Sequence, residues 1–179
     1  MKLNRLLLRF IYHFLRKLIV LISYLNHRIH TSLFVKLLKV YGMKINGTPR
    51  YIGSRVKFDD IDNIELGNRV VISDRCEFLT HDYSFTTALI AVGKPPSTDI
   101  SLLGSIKVGN NVFIGARSII MPNTIIGENV IIGAGSVVRG KLDSNSVYIG
   151  NPCVKIKTIK EIVNKWNSKS LITKKDKSY

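Results

Sequence analysis

Residues 108–138 read VGNNVFIGARSIIMPNTIIGENVIIGAGSVV, and an apolar residue returns at every sixth position along this stretch. Glycine follows four of these apolar residues, and a small or β-branched residue stands four positions after each of the first five. One period of this length suits one short strand and one corner, so three periods close a triangular coil of about eighteen residues. The periodic apolar residues are Val108, Ile114, Ile120, Ile126, Ile132 and Val138.

Stacked coils explain why the apolar residues recur. Val108 is expected to lie on Ile126, and Ile114 on Ile132, in a continuous apolar column that no single coil could bury. Asparagine and glycine tolerate the left-handed backbone angles of a sharp corner, and Asn123 stands where glycine would suit such a turn. An earlier stretch obeys the same rule, with an insertion of two residues near 60–61, through Ile52, Phe58, Leu66, Ile72 and Phe78.

The pattern divides the chain into three regions. Residues 1–45 contain no glycine or proline before Gly42 and are predicted to form one or two helices. Residues 46–152 are predicted to form a parallel β-helix, interrupted by a loop at 82–105. Residues 153–179 are predicted to contain a short amphipathic helix over 156–166 and a disordered basic tail from Ser168.

Charge is distributed unevenly along the chain. The formal net charge is +15, and the first 50 residues carry ten Lys or Arg without any Asp or Glu. From Lys155 onward there are eight lysines against two acidic residues, whereas the middle holds nine basic and ten acidic residues. Two basic ends predict an anionic partner surface. We expect no nucleic-acid partner, because the basic ends lack interleaved aromatic clusters and any recognisable binding motif.

The first helical segment combines apolar and basic residues. A largely apolar series follows helical spacings of three and four: Leu3, Leu7, Phe10, Phe14, Lys17, Leu18 and Leu21. Basic residues lie at the rim of this stripe: Arg5, Arg9, Arg16 and Lys17. One interpretation is a helix in the interface of an anionic membrane. The other is a helix packed on its own domain or on a neighbouring subunit. The apolar run 11–25 is too short and too charged for a confident membrane span and has no cleavage site. We therefore expect a cytoplasmic protein, peripheral on the inner face of the membrane.

His81 is the candidate for acid–base chemistry. It is the only histidine within the repeats, and it stands where the six-residue pattern stops before resuming at Ile106. Long loops that interrupt a regular solenoid tend to be functional. Histidine titrates near neutral pH and can act as a general base. Cys76 and Cys153 match no metal-ligand spacing and are predicted to be free thiols.

The hexads resemble those of the hexapeptide-repeat acyltransferases. This resemblance implies a left-handed parallel β-helix and the transfer of an acyl group to a hydroxyl. Thr80-His81-Asp82 is similar to the segment around the catalytic histidine of sugar and polysaccharide O-acetyltransferases in this family. It implies that His81 deprotonates the acceptor hydroxyl and that Asp82 orients the imidazole. Asp99, at the far end of the loop, is a second candidate for that orienting role.

The same resemblance implies acetyl-CoA as co-substrate. Ala116 and Ala134 lie in segments similar to the family's donor-binding coils and would offer backbone contacts. Arg139-Gly140 stands where the family usually has Thr-Lys, so Arg139 or Lys141 would replace the basic side chain of that lysine. The stretch 150–157 is similar to the family's closing Gly-Asn-Pro-Ala-Lys motif, with Lys157 near the CoA phosphate. The family forms trimers with active sites between subunits, which implies a homotrimer here.

The function predicted from the sequence is O-acetyl transfer to a cell-surface polysaccharide or its lipid-linked sugar precursor. Two alternatives stay open: acetylation of a small molecule such as a free sugar, serine or an antibiotic, and a non-catalytic membrane-associated β-helix scaffold. A zinc hydratase on this fold needs three imidazole ligands, and a single histidine in the repeats cannot supply them. No metal is therefore expected.

Overall fold

The computed structural model describes residues 2–166, so the predicted basic tail from Ser168 lies outside the described residues. Two long helices open the chain, one short helix interrupts the repeats, and another follows them. Within residues 2–166, no helix is both long and apolar enough to cross a membrane. The helices are α1 (Lys2–Ser23), α2 (His27–Val40), α3 (Ser84–Ala91) and α4 (Ile159–Trp166).

Between and after these helices run short strands, most of them two residues long, and one 3₁₀ turn at Ile61–Asn63. They are β1 (Lys44–Ile45), β2 (Tyr51–Ile52), β3 (Lys57–Phe58), β4 (Ile64–Leu66), β5 (Val71–Ile72), β6 (Glu77–Phe78), β7 (His81–Asp82), β8 (Leu102–Leu103), β9 (Ile106–Val108), β10 (Phe113–Ile114), β11 (Ile119–Ile120), β12 (Ile125–Ile126), β13 (Ile131–Ile132), β14 (Val137–Val138), β15 (Lys141–Leu142), β16 (Ser146–Ile149) and β17 (Val154–Thr158).

Three sheets form the three faces of a prism. Face 1 has the order β1-β4-β9-β12-β15, face 2 has β2-β5-β10-β13-β16-β17, and face 3 has β3-β6-β11-β14. Neighbouring strands within the faces are parallel, except that β16 and β17 are antiparallel. Since the chain visits face 1, face 2 and face 3 in turn, the repeats form the predicted parallel β-helix.

The periodic apolar residues fill the prism as predicted. Val108 pairs in register with Ile126, and Ile114 with Ile132. All six periodic residues of the stretch 108–138 are at most 3% exposed. The small residues between them satisfy their own polar groups, because buried Ser118, Thr124 and Ser136 each donate a hydroxyl hydrogen bond to the carbonyl three residues earlier, at 2.7–2.8 Å. The hexad therefore buries a hydroxyl without leaving it unpaired.

Asparagine turns one corner of the prism. Asn111, Asn129 and Asn145 all adopt positive φ angles of 55–58°. Their side-chain amides form a ladder, with Asn111 Nδ2 donating to Asn129 Oδ1 and Asn129 Nδ2 to Asn145 Oδ1, both at 2.9 Å. Asn123 also turns its corner at a φ of 61°, as its sequence position predicted.

The α1–α2 hairpin covers the first coil of the prism. Phe34 of α2 is 1% exposed and its ring lies 6.3 Å from that of Phe58 in the first coil. The Thr31 hydroxyl accepts a hydrogen bond from the backbone N–H of Ile52 at 3.3 Å. The first coil begins at Lys44, because β1 already pairs with β4. The hairpin thus closes one end of the apolar column.

The C-terminal helix begins later than the sequence predicted. Residues 154–158 pair with β16 as a strand, so α4 starts at Ile159 and not at residue 156. A capping box starts the helix: the Glu161 carboxylate accepts hydrogen bonds from the Thr158 backbone N–H and hydroxyl at 2.6 and 2.7 Å. Such a box satisfies backbone donors that the first helical turn leaves free.

The predicted loop 82–105 has an ordered framework. β7 and β8 pair as an antiparallel ladder at its base, with His81 opposite Leu103. Helix α3 lies between them, and its Thr86 hydroxyl both donates to Ile100 O and accepts from Ile100 N. The excursion is therefore attached to the prism beside His81.

Candidate active site

His81 stands at the corner where the chain passes from face 3 to face 1, and its side chain is 31% exposed. Two carboxylates of the preceding coil contact its ring. Nδ1 lies 3.4 Å from Oδ2 of Asp59, and Nε2 lies 2.9 Å from Oδ2 of Asp60. The imidazole is partly exposed and held by carboxylates, so it can take a proton once one ring nitrogen is released from its contact.

Hydrogen bonds between coils fix the two carboxylates. The buried Thr80 hydroxyl donates to Asp60 Oδ2 at 3.1 Å and accepts from the Asp60 backbone N–H at 3.2 Å. The Thr80 backbone N–H donates to Asp59 Oδ2 at 3.2 Å. Because Phe58 pairs in register with Phe78, the two residues after each strand are stacked one above the other. The parallel register therefore places Asp59 and Asp60 beside the two residues that directly precede the histidine.

The Asp82 carboxylate contacts the backbone at the start of α3. Its Oδ1 accepts a hydrogen bond from the Ser84 backbone N–H at 2.9 Å, at the start of α3. Hydrogen bonds from Ser84, together with the positive charge of Arg139, hold the pKa of this exposed carboxyl below its usual value. Asp99 lies exposed between α3 and β8. An orienting role for Asp82 or Asp99 stays a prediction, while the carboxylates in contact with the imidazole are those of Asp59 and Asp60.

An aromatic side chain borders the histidine on its open side. The Tyr83 ring lies 6.3 Å from the His81 ring, at an interplanar angle of 20°. Tyr83 is 58% exposed, and the neighbouring Leu103 is 64% exposed. The imidazole thus faces a surface with a partly apolar wall, while the phenol supplies one polar end.

The predicted donor residues Ala116 and Ala134 lie together at another corner, between faces 2 and 3. They border one open groove of about 640 Å³. The groove is also lined by Gly135 and by three arginines that the sequence reasoning did not single out, Arg55, Arg75 and Arg117. Strand register places these arginines at the same corner position of three successive coils. We name this ladder of residues 55, 75 and 117 the arginine corner.

The arginine corner has unusual backbone and electrostatic features. Arg75 and Arg117 adopt φ angles of 59° and 61°, a region that residues with a Cβ rarely occupy. Arg55 holds Asp74 through Nε, at 2.5 Å, and through Nη2. Burial acts to raise the pKa of Asp74, but hydrogen bonds and charge from Arg55 outweigh it and lower that pKa. Arg75 and Arg117 remain exposed at the groove.

A Cβ at Gly115 would collide with the backbone of Gly133 and Ala134. Close stacking of the coils therefore requires glycine directly beside the donor groove. This contact explains the Gly-Ala pairs in the repeat: glycine permits the close approach, and the small alanine after it leaves the groove open.

Arg139 and Lys157 lie apart from this groove. Arg139 is exposed at the corner after β14, the corner that also carries His81, and its charge acts on Asp82. Lys157 lies on β17 opposite Val147 and its charge acts on Glu161. The structure thus brings Ala116 and Ala134 together but not Arg139 or Lys157 with them. A role for these two residues in binding acetyl-CoA stays a prediction.

The two cysteines are free thiols, as predicted. Burial raises the pKa of both, and Cys76 donates its thiol to the Gly115 carbonyl at 3.1 Å. A thiol with a raised pKa is a poor nucleophile at neutral pH. Among the residues that the structure describes, no three His, Cys, Asp or Glu side chains are grouped so that they could hold a metal ion.

The sequence contains patterns that could have identified the two aspartates beside His81 and the three arginines of the arginine corner. Asp59 and Asp60 follow Phe58 at the insertion in the repeat, one coil before the histidine. Arg55, Arg75 and Arg117 each stand two residues before the first residue of a face 3 strand. Counting corner positions as well as core positions would have aligned both sets.

The bacterial transferase hexapeptide family, described by six repeats, matches residues 105–140. Protein CapG of Staphylococcus aureus is 35% identical over 155 residues, covering 80% of this chain and 87% of that protein. The putative lipopolysaccharide biosynthesis O-acetyl transferase WbbJ of Escherichia coli strain K12 is 25% identical, covering 64% of this chain and 60% of that protein.

Solved structures agree with the fold. A maltose O-acetyltransferase from Clostridium difficile 630 superposes with a TM-score of 0.55 at 25% identity, over 80% of this chain and 83% of that chain. The six-residue repeat, the left-handed parallel β-helix that it builds and the extent of the likeness to CapG agree with one another. On these grounds, the chain belongs to the hexapeptide-repeat acyltransferase family.

Proposed function

We propose that this enzyme transfers an acetyl group from acetyl-CoA to a hydroxyl of a cell-surface polysaccharide or of its lipid-linked sugar precursor. The observation that carries the proposal is the partly exposed His81 ring, which Asp59 and Asp60 contact at the start of the loop 82–105. The relative WbbJ, named as a lipopolysaccharide biosynthesis O-acetyl transferase, supports a saccharide acceptor of this class.

The imidazole is the general base of this proposal. It takes the proton of the acceptor hydroxyl as that oxygen bonds to the thioester carbonyl carbon. The tetrahedral intermediate then collapses, the carbon–sulfur bond breaks, and the proton passes from the imidazolium to the sulfur of CoA. The products are the acetyl ester and free CoA. The aspartate carboxylate that stays in contact with the His81 ring stabilises the imidazolium while the ring carries the proton.

The groove at the arginine corner is the proposed site for acetyl-CoA. CoA carries phosphate groups, and arginine forms charge-assisted hydrogen bonds with phosphate oxygens. Arg75 and Arg117 are exposed beside Ala116 and Ala134, which leave room for the pantetheine arm to reach the backbone.

We further propose that the enzyme is a homotrimer in the cytoplasm, peripheral on the inner face of the membrane. His81 and the arginine corner lie at different corners of one prism, so a neighbouring subunit would bring one subunit's histidine to another's groove. Exposed apolar residues on face 2, Phe113 and Ile149, each at 43%, support subunit packing. Light scattering that gives a monomer mass at working concentration would contradict this arrangement.

A second candidate is the acetylation of a small free sugar. The likeness to a maltose O-acetyltransferase at 25% identity over most of both chains favours it. The two candidates differ only in the acceptor, so one assay separates them.

The test is acceptor-dependent release of CoA from acetyl-CoA by the purified enzyme. Acceptors are lipid-linked saccharides, cell-surface polysaccharide, and maltose with other free sugars. We expect turnover with the first two and a loss of about a hundredfold or more in His81→Ala. His13→Ala, at an exposed histidine of α1, is the matched control. Equal turnover by His81→Ala and wild type would refute the mechanism, and turnover with free sugars alone would favour the second candidate.

A further inference from the structure

Helix α1 points its most apolar side away from the rest of the protein. Leu7, Phe10, Phe14, Leu18 and Leu21, which we name the outer stripe, are each between 46% and 69% exposed. Their spacing of three and four residues puts them on one side of the helix. Large contiguous apolar patches on a protein surface mark interaction sites.

The opposite side of α1 attaches the helix to the domain. Tyr12 is 7% exposed and Ser23 is 4% exposed, and the Tyr12 ring packs edge-on against Tyr41 at 5.0 Å. Arg16 donates to the Val56 carbonyl at 2.5 Å and lies over the Phe34 ring at 5.8 Å. Arg16 was expected at the rim of the apolar stripe, but it faces the domain. The helix is therefore docked through mixed polar and aromatic contacts, and its apolar residues are left outside.

Charge indicates what covers the outer stripe. The first 50 residues contain ten basic and no acidic residues, so the surface around the hairpin is electropositive. Lys17 is exposed on α1. Arg28, Lys36, Lys39 and Arg50 line a groove of about 820 Å³ between α2 and the first coil. A second hairpin against this surface would bring like charges together, whereas anionic headgroups would neutralise them.

Shape agrees with a planar partner. The helix has 22 residues and extends about 33 Å at the usual rise per residue. Because the outer stripe lies opposite the docked side, the helix can lie flat in an interface while the β-helix stays on one side of it. A helix with one apolar side and a basic surrounding surface binds membranes in this way.

We infer that the outer stripe of α1 inserts into the headgroup region of an anionic bilayer, with the basic residues of the hairpin contacting lipid phosphates. This inference rests on the proposed peripheral location at the membrane and does not depend on the identity of the acceptor. It assigns the membrane contact to one surface and makes binding depend on both apolar residues and lipid charge.

Flotation with lipid vesicles tests the inference. The full-length protein is mixed with vesicles of phosphatidylcholine alone, or of phosphatidylcholine with phosphatidylglycerol. Leu18→Asp changes the outer stripe, and Val40→Asp makes the same change at an 81% exposed position of α2 outside it. We expect binding to the anionic vesicles only, a loss of at least about tenfold in Leu18→Asp from reduced apolar burial, and near wild-type binding by Val40→Asp.

Several outcomes would overturn the inference. Equal binding to both vesicle types would show that lipid charge does not contribute to binding. Equal losses in Leu18→Asp and Val40→Asp would show that the outer stripe has no specific role. Absence of vesicle binding by the wild type, with a smaller particle mass in Leu18→Asp by light scattering, would assign the stripe to a second copy of the chain. Melting curves of both variants show whether either change unfolds the protein. If Leu18→Asp is unfolded, Phe14→Ser, an uncharged change at a 54% exposed residue of the outer stripe, takes its place.

Discussion

Nε2 of His81 lies 2.9 Å from Oδ2 of Asp60, while Nδ1 lies 3.4 Å from Oδ2 of Asp59. The Asp60 contact has ordinary hydrogen-bond length, and the Asp59 contact is at the long limit. An acceptor hydroxyl needs one free ring nitrogen, so one aspartate has to yield its contact. The longer one is easier to break, which makes Asp60 the stronger candidate for the residue that orients the ring.

Replacing Asp60 should therefore impair turnover more than replacing Asp59. We expect Asp60→Asn to lower kcat by at least about tenfold, as part of the general-base contribution, and Asp59→Asn to lower it less. Steady-state kinetics give kcat and the KM for acetyl-CoA, which should stay unchanged in both variants. Asp62→Asn, an equal charge change at an exposed residue of the 3₁₀ turn, is the control. The reverse order of Asp59 and Asp60 would assign the orienting contact to Nδ1.

The arginine corner should control acetyl-CoA binding. We expect Arg117→Asn to raise the KM for acetyl-CoA about tenfold, the value of one hydrogen bond to a charged group, while kcat changes little. Asparagine tolerates the positive φ of 61° at this position. Arg69→Asn is a matched control, because Arg69 is exposed with a φ of 58° at another corner. If both variants show the same KM, the groove does not hold the phosphates of CoA.

Ionic strength gives a second measurement on the same groove. Salt screens exposed charges, so the KM of the wild type for acetyl-CoA should rise with added salt, and that of Arg117→Asn should rise less. Equal salt dependence in the two proteins would indicate that the charge on Arg117 does not act on acetyl-CoA.

The core of the β-helix could be predicted from sequence because its rule is one-dimensional. Ile114 and Ile132 pair in register since the period brings equivalent residues together at each coil. Corner residues follow the same period, but their side chains point outward, so hydropathy does not reveal them. Arg75 and Arg117 were missed for that reason, although their spacing matches that of the buried strands beside them.

Contacts between coils were harder to predict than positions within them. Asp82 is adjacent to His81 in sequence, but alternate residues of a strand point to opposite sides, and Asp82 contacts Ser84. Asp59 is 22 residues away from His81 in sequence and reaches it through stacking. Similarly, residues 156–158 have a helical pattern, but free backbone groups at the edge of β16 hold them as a strand.

The apolar column should dominate the stability of the domain. Ile132 is fully buried, so Ile132→Ala should lower the free energy of unfolding by about 2–5 kcal/mol through lost burial and a new cavity. Ile125 lies on a face and is 47% exposed, so Ile125→Ala should cost about 0.5 kcal/mol or less. Urea unfolding followed by circular dichroism measures both. Similar losses in the two variants would mean that subunit contacts on the faces contribute as much as the column.

Acid should destabilise the docking of the helical hairpin through His30. His30 is 1% exposed, and neither ring nitrogen has a hydrogen-bond partner within the described structure. Burial, and secondarily the charge of His27, lower the pKa of His30 from its ordinary value of 6.5. The unfolded chain then binds a proton at a higher pH than the folded chain does. The free energy of unfolding should therefore decrease as the pH falls below 6.5.

Substitution with an apolar residue of similar size isolates this effect. His30→Met should flatten the dependence of unfolding free energy on pH between neutral and mildly acidic conditions, because the group that gains a proton on unfolding is gone. His27→Gln, at an exposed position of the same helix, should retain most of the dependence. Urea midpoints measured across this pH range compare the three proteins. The buried imidazole of His30 is neutral and gains its proton when the hairpin opens or the chain unfolds. An unchanged pH dependence in His30→Met would therefore show that other groups cause the acid sensitivity.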